Sequence, residues 1–359
     1  MSLFYILIGI LLLGILVTVH EWGHFISARL CGIEVREFAI GMGPKLFGWT
    51  DRHGTAFSLR LIPMGGYCAF YGEDDVEGKE KDDPRAWPKQ AVWKRMISVL
   101  MGPGMNFLLA FLVLFFWLWI GGYNVATLVR PELDSVTAGG PAETAGFLAG
   151  DAILAINGVS VVNDSTDSVT RAIQGWQEGD EPLHFTVQRG EEELTLDVTP
   201  QRDPEDGVYR VGIIISFRIL EVEHRGVGIG EALSVSGEQF VYAGGTILRA
   251  LKGLLTRGEG LDQVGGPVSV VAQVSEMVRS DGLDAFLNLL VVISINLGIM
   301  NLLPIPGLDG SRFLFMVLEA IRRKPIPPEK EAMVHMAGMV LLFGLMIVVS
   351  LRDIIRLFQ

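Results

Sequence analysis

His20, Glu21 and His24 form the pattern H-E-x-x-H, directly after an uncharged apolar run over residues 3–19. Histidines four apart share one face of a helix, so their rings can converge on one metal ion. A glutamate beside such a pair is suited to take a proton from a metal-activated water. Ionisable side chains at the edge of a hydrocarbon layer are costly and usually functional where they persist. The pattern predicts zinc-dependent peptide hydrolysis within or at the edge of a membrane. A catalytic zinc needs a further protein ligand and a position left open for water. Asp309 is the best candidate, in the run Asn301-Leu302-Leu303-Pro304-Ile305-Pro306-Gly307-Leu308-Asp309-Gly310. Pro304 and Pro306 predict a broken helix, and Gly310 a sharp turn. Irregular backbone at membrane depth is tolerated only where it is buried or lines a cavity.

The elements that position these residues are membrane helices. Of the 359 residues, 50% are apolar, and the mean hydropathy is +0.40. That composition favours an integral membrane protein over a soluble one. Segments 3–24, 96–120, 284–303 and 332–351 each hold about the 20 residues that cross ~30 Å of hydrocarbon. The first lacks a basic leader and a small-x-small cleavage site, and its removal would discard the histidine pair, so it is expected to be retained. The first and third spans run in the same direction, ending at His24 and just before Asp309. Both motifs are thereby expected at similar depth on one side.

Charge sets the expected orientation. Residues 123–240 carry 7 Lys/Arg against 20 Asp/Glu, whereas residues 31–95 carry 10 of each. Arg29, Arg36, Lys94, Arg95, Arg322, Arg323 and Lys324 border the first and third connections, and residues 1–5 have no basic side chain. Basic residues near helix ends mark the cytosolic side. The N-terminus and the acidic region 123–283 are therefore expected outside, with the two basic loops inside; Arg352 and Arg356 run weakly against this. The acidic balance argues against nucleic acid as a partner. Cys31 and Cys68 fall in the expected cytosolic loop and read as free thiols.

Phe57-Ser58-Leu59-Arg60-Leu61 alternates at period two and predicts a strand. Gly65-Gly66 beyond it permits a tight turn or a close backbone approach, so a hairpin with an open edge is expected here. Residues 72–90 read as a charged, solvated loop. Gly102-Pro103-Gly104 in the second span predicts a kink or close helix packing, and Asn106 a hydrogen bond between helices. Residues 125–200 read as a separate soluble unit. Residues 138–147 give a turn and short helix, 150–158 a strand between turns, and 183–198 a hairpin about Arg189-Gly190. In residues 228–256, Leu233, Phe240, Ile247, Leu248, Leu251 and Leu254 predict one apolar helix face, either lying on the membrane or packed in the protein. His53, His184 and His224 read as surface residues, and His335 as lying away from the motifs.

Residues 125–200 resemble a PDZ domain, in particular its "PAxxAGxxxGDxIxxxNG" form. With it, His20-Glu21-Trp22-Gly23-His24, the run 38–44, Pro63-Met64-Gly65-Gly66-Tyr67, Gly102-Pro103-x-x-Asn106 and Asn296 through Gly310 occur in the order found in bacterial site-2 proteases. The chain thus resembles RseP/RasP-type intramembrane zinc metalloproteases over nearly its whole length. The resemblance implies a polytopic α-helical membrane protein with about four transmembrane helices, a membrane-associated β-hairpin loop and an inserted PDZ-like α+β domain. It implies that His20, His24 and Asp309 bind Zn²⁺ and that Glu21 is the base. It further implies that segment 57–70, with Gly65 and Gly66, offers an edge to an unwound substrate, and that Asn296 and Asn301 hold the substrate backbone. The chain departs from the Gram-negative form in having one PDZ-like segment.

The expected division is a first protease half over 1–122, a PDZ-like domain over 123–202, a connector over 203–283 and a second protease half over 284–359. The implied location is the bacterial inner membrane, with the active site towards the cytosol and the PDZ-like domain outside. Implied partners are the lipid bilayer and single-pass membrane proteins already trimmed by another protease, such as anti-sigma factors or remnant signal peptides. A peptide or C-terminus is implied at the PDZ-like domain. Two other classes compete. A non-catalytic PDZ adaptor would have no need of Glu21. A cation carrier would spread polar ligands along both access paths, whereas here they gather towards one face.

Overall fold

The computed structural model describes residues 3–73, 83–163, 167–203, 207–258 and 266–357. In chain order the elements are α1 (Leu3–Leu30), β1 (Val35–Thr50), β2 (Ala56–Phe70), a 3-10 turn at Trp87–Lys89, α2 (Val92–Gly121), β3 (Tyr123–Val136), α3 (Pro141–Thr144), β4 (Ala152–Ile156), β5 (Val159–Ser160), α4 (Asp167–Gln174), β6 (Leu183–Arg189), β7 (Glu192–Val198), β8 (Gln201–Arg202), β9 (Tyr209–Arg210), β10 (Ile213–Arg225), α5 (Ile229–Arg257), α6 (Pro267–Leu302), α7 (Asp309–Arg322) and α8 (Pro328–Leu357). They form two compact units, Met1–Ile120 with Gly228–Gln359, and Gly121–Val227.

In the first unit, Leu3–Leu30, Val92–Gly121, Ser269–Leu302 and Lys330–Asp353 are long and apolar enough to cross a membrane. The protein is therefore membrane-embedded, and its four helices cover the spans expected; the first, second and fourth are longer by a few residues, and the third begins at Ser269, well before the expected 284, and ends at Leu302. On α1 the buried positions Gly9, Leu12, Leu16, His20, Gly23 and Ser27 recur every three or four residues. One helix face thus carries the apolar contact directly into the histidine pair. Leu12 and Leu16 pack with Val274, Val278, Ala285 and Leu290 of α6. On α2 the buried set Ser98, Gly102, Asn106, Ala110, Leu114 and Leu118 keeps the same period. Pro103 lies inside this helix, which continues past it. Close packing, the second of the two readings, is what Gly102 and Gly23 serve. A Cβ on Gly23 would lie 2.0 Å from the Met101 carbonyl oxygen, and one on Gly102 2.3 Å from the His24 ring.

The β1–β2 ribbon is more than a hairpin. Glu37, Phe38, Ala39 and Ile40 pair with Ala69, Cys68, Tyr67 and Gly66 in antiparallel register, and also with Ala56, Phe57, Ser58 and Leu59 in the opposite sense. Lys45 to Thr50 then pair antiparallel with Arg60 to Ala56. The ribbon therefore folds back into four short segments in the order 66–70, 35–40, 56–60, 45–50. Segment 56–60 is covered on both sides, which corrects the expectation that the open edge runs over 57–70. The edge on the site side is 66–70 alone. Gly65 adopts φ +91° at the turn into it, a region other residues avoid. The charged stretch 72–90 lies partly outside the described residues, at 74–82. Its described end packs instead of floating free: Trp87 stacks on Phe70.

Residues 228–256 form α5, whose Phe240, Ala243 and Ile247 pack on Ala110, Leu114, Val291 and Ile295. Leu233 and Leu248, expected on the same apolar face, are exposed. The helix α6 bends at Gly282. It ends at Leu302, and a loop leads into α7 at Asp309.

The second unit is a sheet in the order β10-β3-β4-β6-β7, with β5 on β4. Its core joins Leu133, Phe147, Ile153, Val169, Phe185, Val187 and Val198. The unit reaches Val227, beyond the expected boundary at Arg202, because β10 pairs along the whole of β3. The expected hairpin is β6–β7, in register from Leu183↔Val198 to Arg189↔Glu192. His184 and His224 are exposed in this unit, as is His53 in the first.

Candidate metal centre

α1 presents His20 and His24 one turn apart, both buried, and the start of α7 presents Asp309 opposite them. Asp309 Oδ2 lies 3.0 Å from His20 Nε2 and 3.4 Å from His24 Nε2, and the two Nε2 atoms are 3.3 Å apart. Ligand atoms at about 2.0–2.1 Å from a tetrahedral zinc lie about 3.3–3.4 Å from one another. The three atoms therefore fit the ion as placed. Asp309 Oδ2 is also buried with no hydrogen-bond donor of its own, as a ligand oxygen must be. Among the described residues this is the group of His, Cys, Asp and Glu that suits a metal.

The loop before Asp309 is shaped by glycines at two kinds of position. Gly307 takes φ +99° and makes the turn. Gly310, expected to be the turn residue, is instead the first-turn contact of α7. A Cβ there would lie 2.3 Å from the carbonyl oxygens of Leu302 and Leu303. His335 on α8 is not remote from the motifs: the Gly307 amide donates to its Nδ1 at 3.3 Å. Gly338 brings α8 against Pro306, where a Cβ would lie 2.2 Å from the carbonyl oxygen.

A cavity of about 380 Å³ opens onto the three ligand residues, and Glu21, Tyr67, Cys68, Glu73, Asn301 and Arg312 also line it. Glu21 sits between the metal ligands and the 66–70 edge; a Cβ on Gly66 would lie 3.4 Å from its Cγ and 2.8 Å from the Ala39 carbonyl oxygen. No further strand pairs with 66–70 among the described residues. Asn301 is at the cavity, whereas Asn296 lies exposed on α6 and is not among the cavity residues. Gly65 packs on Met42, and so shapes the ribbon tip. Burial, with Glu21 and Glu73 nearby, pushes the Cys68 thiol well up, leaving it neutral and a poor ligand or nucleophile. Both cysteines are free thiols.

Two features of the site were missed in the sequence. The Ser98 carbonyl accepts from His24 Nδ1 at 2.8 Å, and any residue type supplies a carbonyl. Arg312 donates to Glu73 at 2.6 Å, and the nearby Glu73 carboxylate raises its pKa, so it stays a cation. Its spacing of three from Asp309 places it on the same helix face, which was readable.

The comparison with known proteins agrees with this geometry. The model of peptidase family M50 matches residues 8–345. This chain belongs to peptidase family M50. A protein of Agrobacterium fabrum named "Putative zinc metalloprotease" is 34% identical, the match covering 98% of this chain and 95% of that one. A Clostridium acetobutylicum protein of the same designation is also 34% identical, over 99% and 98%. A Streptococcus pyogenes relative, again so named, is 32% identical over 97% and 98%. The M50 match runs through both halves of the membrane unit, as a site split between His20 and Asp309 requires.

Proposed function

We propose that this zinc metalloprotease of family M50 hydrolyses peptide bonds in or near the transmembrane segments of single-pass membrane proteins. The observation that carries the reading is the convergence of His20 Nε2, His24 Nε2 and Asp309 Oδ2 within 3.0–3.4 Å of one another, on helices of a membrane-embedded unit. When bound between these residues, zinc supplies the Lewis acidity for the hydrolysis. Glu21 takes the proton of the attacking water and returns it to the leaving amine. The 66–70 edge, with Tyr67 and Cys68 facing the cavity, offers backbone hydrogen bonds to a substrate that has left its helical pairing. Asn301, which lines the same cavity, holds that backbone as well.

The second unit, with its resemblance to a PDZ domain, binds a peptide or C-terminus and restricts which ectodomains approach. Substrates are proteins already trimmed elsewhere, such as anti-sigma factors or remnant signal peptides. The charge pattern supports the bacterial inner membrane, with the active site towards the cytosol and the acidic second unit outside.

The test is cleavage of a panel of tagged single-pass substrates with short ectodomains by the full-length protein in detergent. Untreated wild type is expected to cleave. Glu21→Gln is expected to lose about 10²–10⁴-fold in rate while keeping stoichiometric zinc, and chelation to abolish cleavage. Retained cleavage by Glu21→Gln would overturn the mechanism.

A further inference from the structure

The second ring nitrogen of each histidine bears on how the site is held. His24 Nδ1 faces the Ser98 carbonyl at 2.8 Å. A carbonyl only accepts, so the ring proton of His24 is on Nδ1 and Nε2 keeps its lone pair. His20 Nδ1 faces the side-chain amide of Asn106 at 3.3 Å, and Asn106 is fully buried on α2.

An amide has two ends of almost the same shape, and the hydrogen-bond network decides which faces a partner. With its NH₂ towards the ring, Asn106 would need Nδ1 as an acceptor. The His20 proton would then sit on Nε2, pointing at Asp309 Oδ2 and His24 Nε2 and blocking the metal position. It would also leave Asn106 Oδ1, which is buried, without a partner. Turning the amide puts Oδ1 against an Nδ1–H and frees Nε2. The turn exchanges one unpaired half of the amide for the other, so the ring decides the matter.

We propose that Asn106 is a positioning residue for the metal centre, its side-chain oxygen accepting the Nδ1 proton of His20 and so fixing the tautomer and angle at which Nε2 meets zinc. Asn106 is neither in the ligand group nor among the residues lining the cavity. It does for His20 what the Ser98 carbonyl does for His24, and both partners come from α2. Ser294 of α6 donates to the Asn106 backbone carbonyl at 2.8 Å, which steadies the turn that carries it. The inference rests on His20 being a zinc ligand.

The test is zinc affinity, measured by chelator competition on the full-length protein in detergent, for wild type, Asn106→Leu and Asn106→Asp. Leucine matches asparagine in size but accepts nothing, and aspartate accepts the same proton. Loss of such a partner costs about 10–100-fold in metal affinity. Asn106→Leu is expected to lose that much, and Asn106→Asp to stay within a few-fold of wild type. A merely packed amide gives the reverse order, with leucine tolerated and the buried carboxylate harmful, and that order would overturn the proposal. Thermal unfolding of the metal-free forms shows whether each variant folds. If neither does, the ¹⁵N spectrum of histidine-labelled wild type decides. Zinc at Nε2 imposes a proton on Nδ1 with or without Asn106, so the metal-free protein is read: neutral His20 is expected to be protonated at Nδ1 already, and a proton on Nε2 would overturn the assignment. If His20→Gln binds zinc as wild type does, the ligand assignment itself fails, separately from the role of Asn106.

Discussion

At the scale of single residues, absence of side chain matters as much as its presence. Gly102 lets α2 press on the histidine pair, since a Cβ there would fall 2.3 Å from the His24 ring. Gly102→Ala is expected to destabilise the protein by about 1–3 kcal/mol and to lower its zinc content. Thermal unfolding and metal analysis check this, and wild-type values in both would contradict it. Arg312 ties α7 to Glu73, whose other oxygen accepts the Phe70 amide at 3.3 Å at the end of the 66–70 edge. Arg312→Met is expected to keep zinc but lower kcat/KM about 10-fold or more, the cost of a charged hydrogen bond of about 1.5–3 kcal/mol. Unchanged kcat/KM would remove Arg312 from the account. His20, Glu21, His24 and Asp309 were legible because ionisable residues stand out against an apolar background and helical spacing fixes their faces. The Ser98 carbonyl was not, because backbone acceptors leave no mark in a sequence. Gly310 was misread as a turn because sequence does not separate a positive φ from a close approach.

At the scale of elements, the site is assembled by helices that meet only in the folded chain. Arg95 at the start of α2 donates to Glu319 of α7 at 2.6 Å, and both are largely buried. This pair sets α7, and with it Asp309, against α2. Arg95→Met leaves Glu319 buried without its partner and is expected to cost about 3 kcal/mol, read as a lowered Tm in detergent. Arg95→Met with Glu319→Leu is expected to recover most of that loss. No recovery would show that the pair is not the cause. The spans were readable from hydropathy alone, since length and composition suffice. The fold-back of the β1–β2 ribbon was not. Alternation at 57–61 marks a strand but says nothing of how many neighbours it has, and here Phe57 pairs with both Phe38 and Trp49. The apolar face drawn over 228–256 is packed at Phe240 and Ile247 and exposed at Leu233 and Leu248, a division that sequence does not mark because a helix of a membrane unit exposes apolar residues at little cost.

At the scale of the whole molecule, the chain divides into two compact units. Gly121–Val227 has its own closed core and is expected to fold as a fragment. Within it Asp151 accepts two hydrogen bonds from Arg189, each at 2.7 Å, and one from the Leu148 amide at 2.9 Å. Burial alone would raise its pKa, but these donors outweigh it and hold the carboxyl below the usual range. A depressed folded pKa contributes stability above the unfolded value of about 3.9 and loses it as pH falls through the folded one. Urea unfolding of the fragment is thus expected to show wild type losing more stability between pH 6 and pH 3 than Asp151→Asn. Parallel losses would contradict that. The end of this unit was missed because β10 belongs to it only through pairing with the distant β3. The central claim concerns the first unit, and zinc K-edge X-ray absorption of the purified full-length protein tests it most directly. The expected spectrum is one zinc per chain with nitrogen and oxygen scatterers near about 2.0–2.1 Å and the outer-shell signature of two imidazoles. Sulfur at about 2.3 Å, or the signature of fewer than two imidazoles, would contradict a centre built from His20, His24 and Asp309.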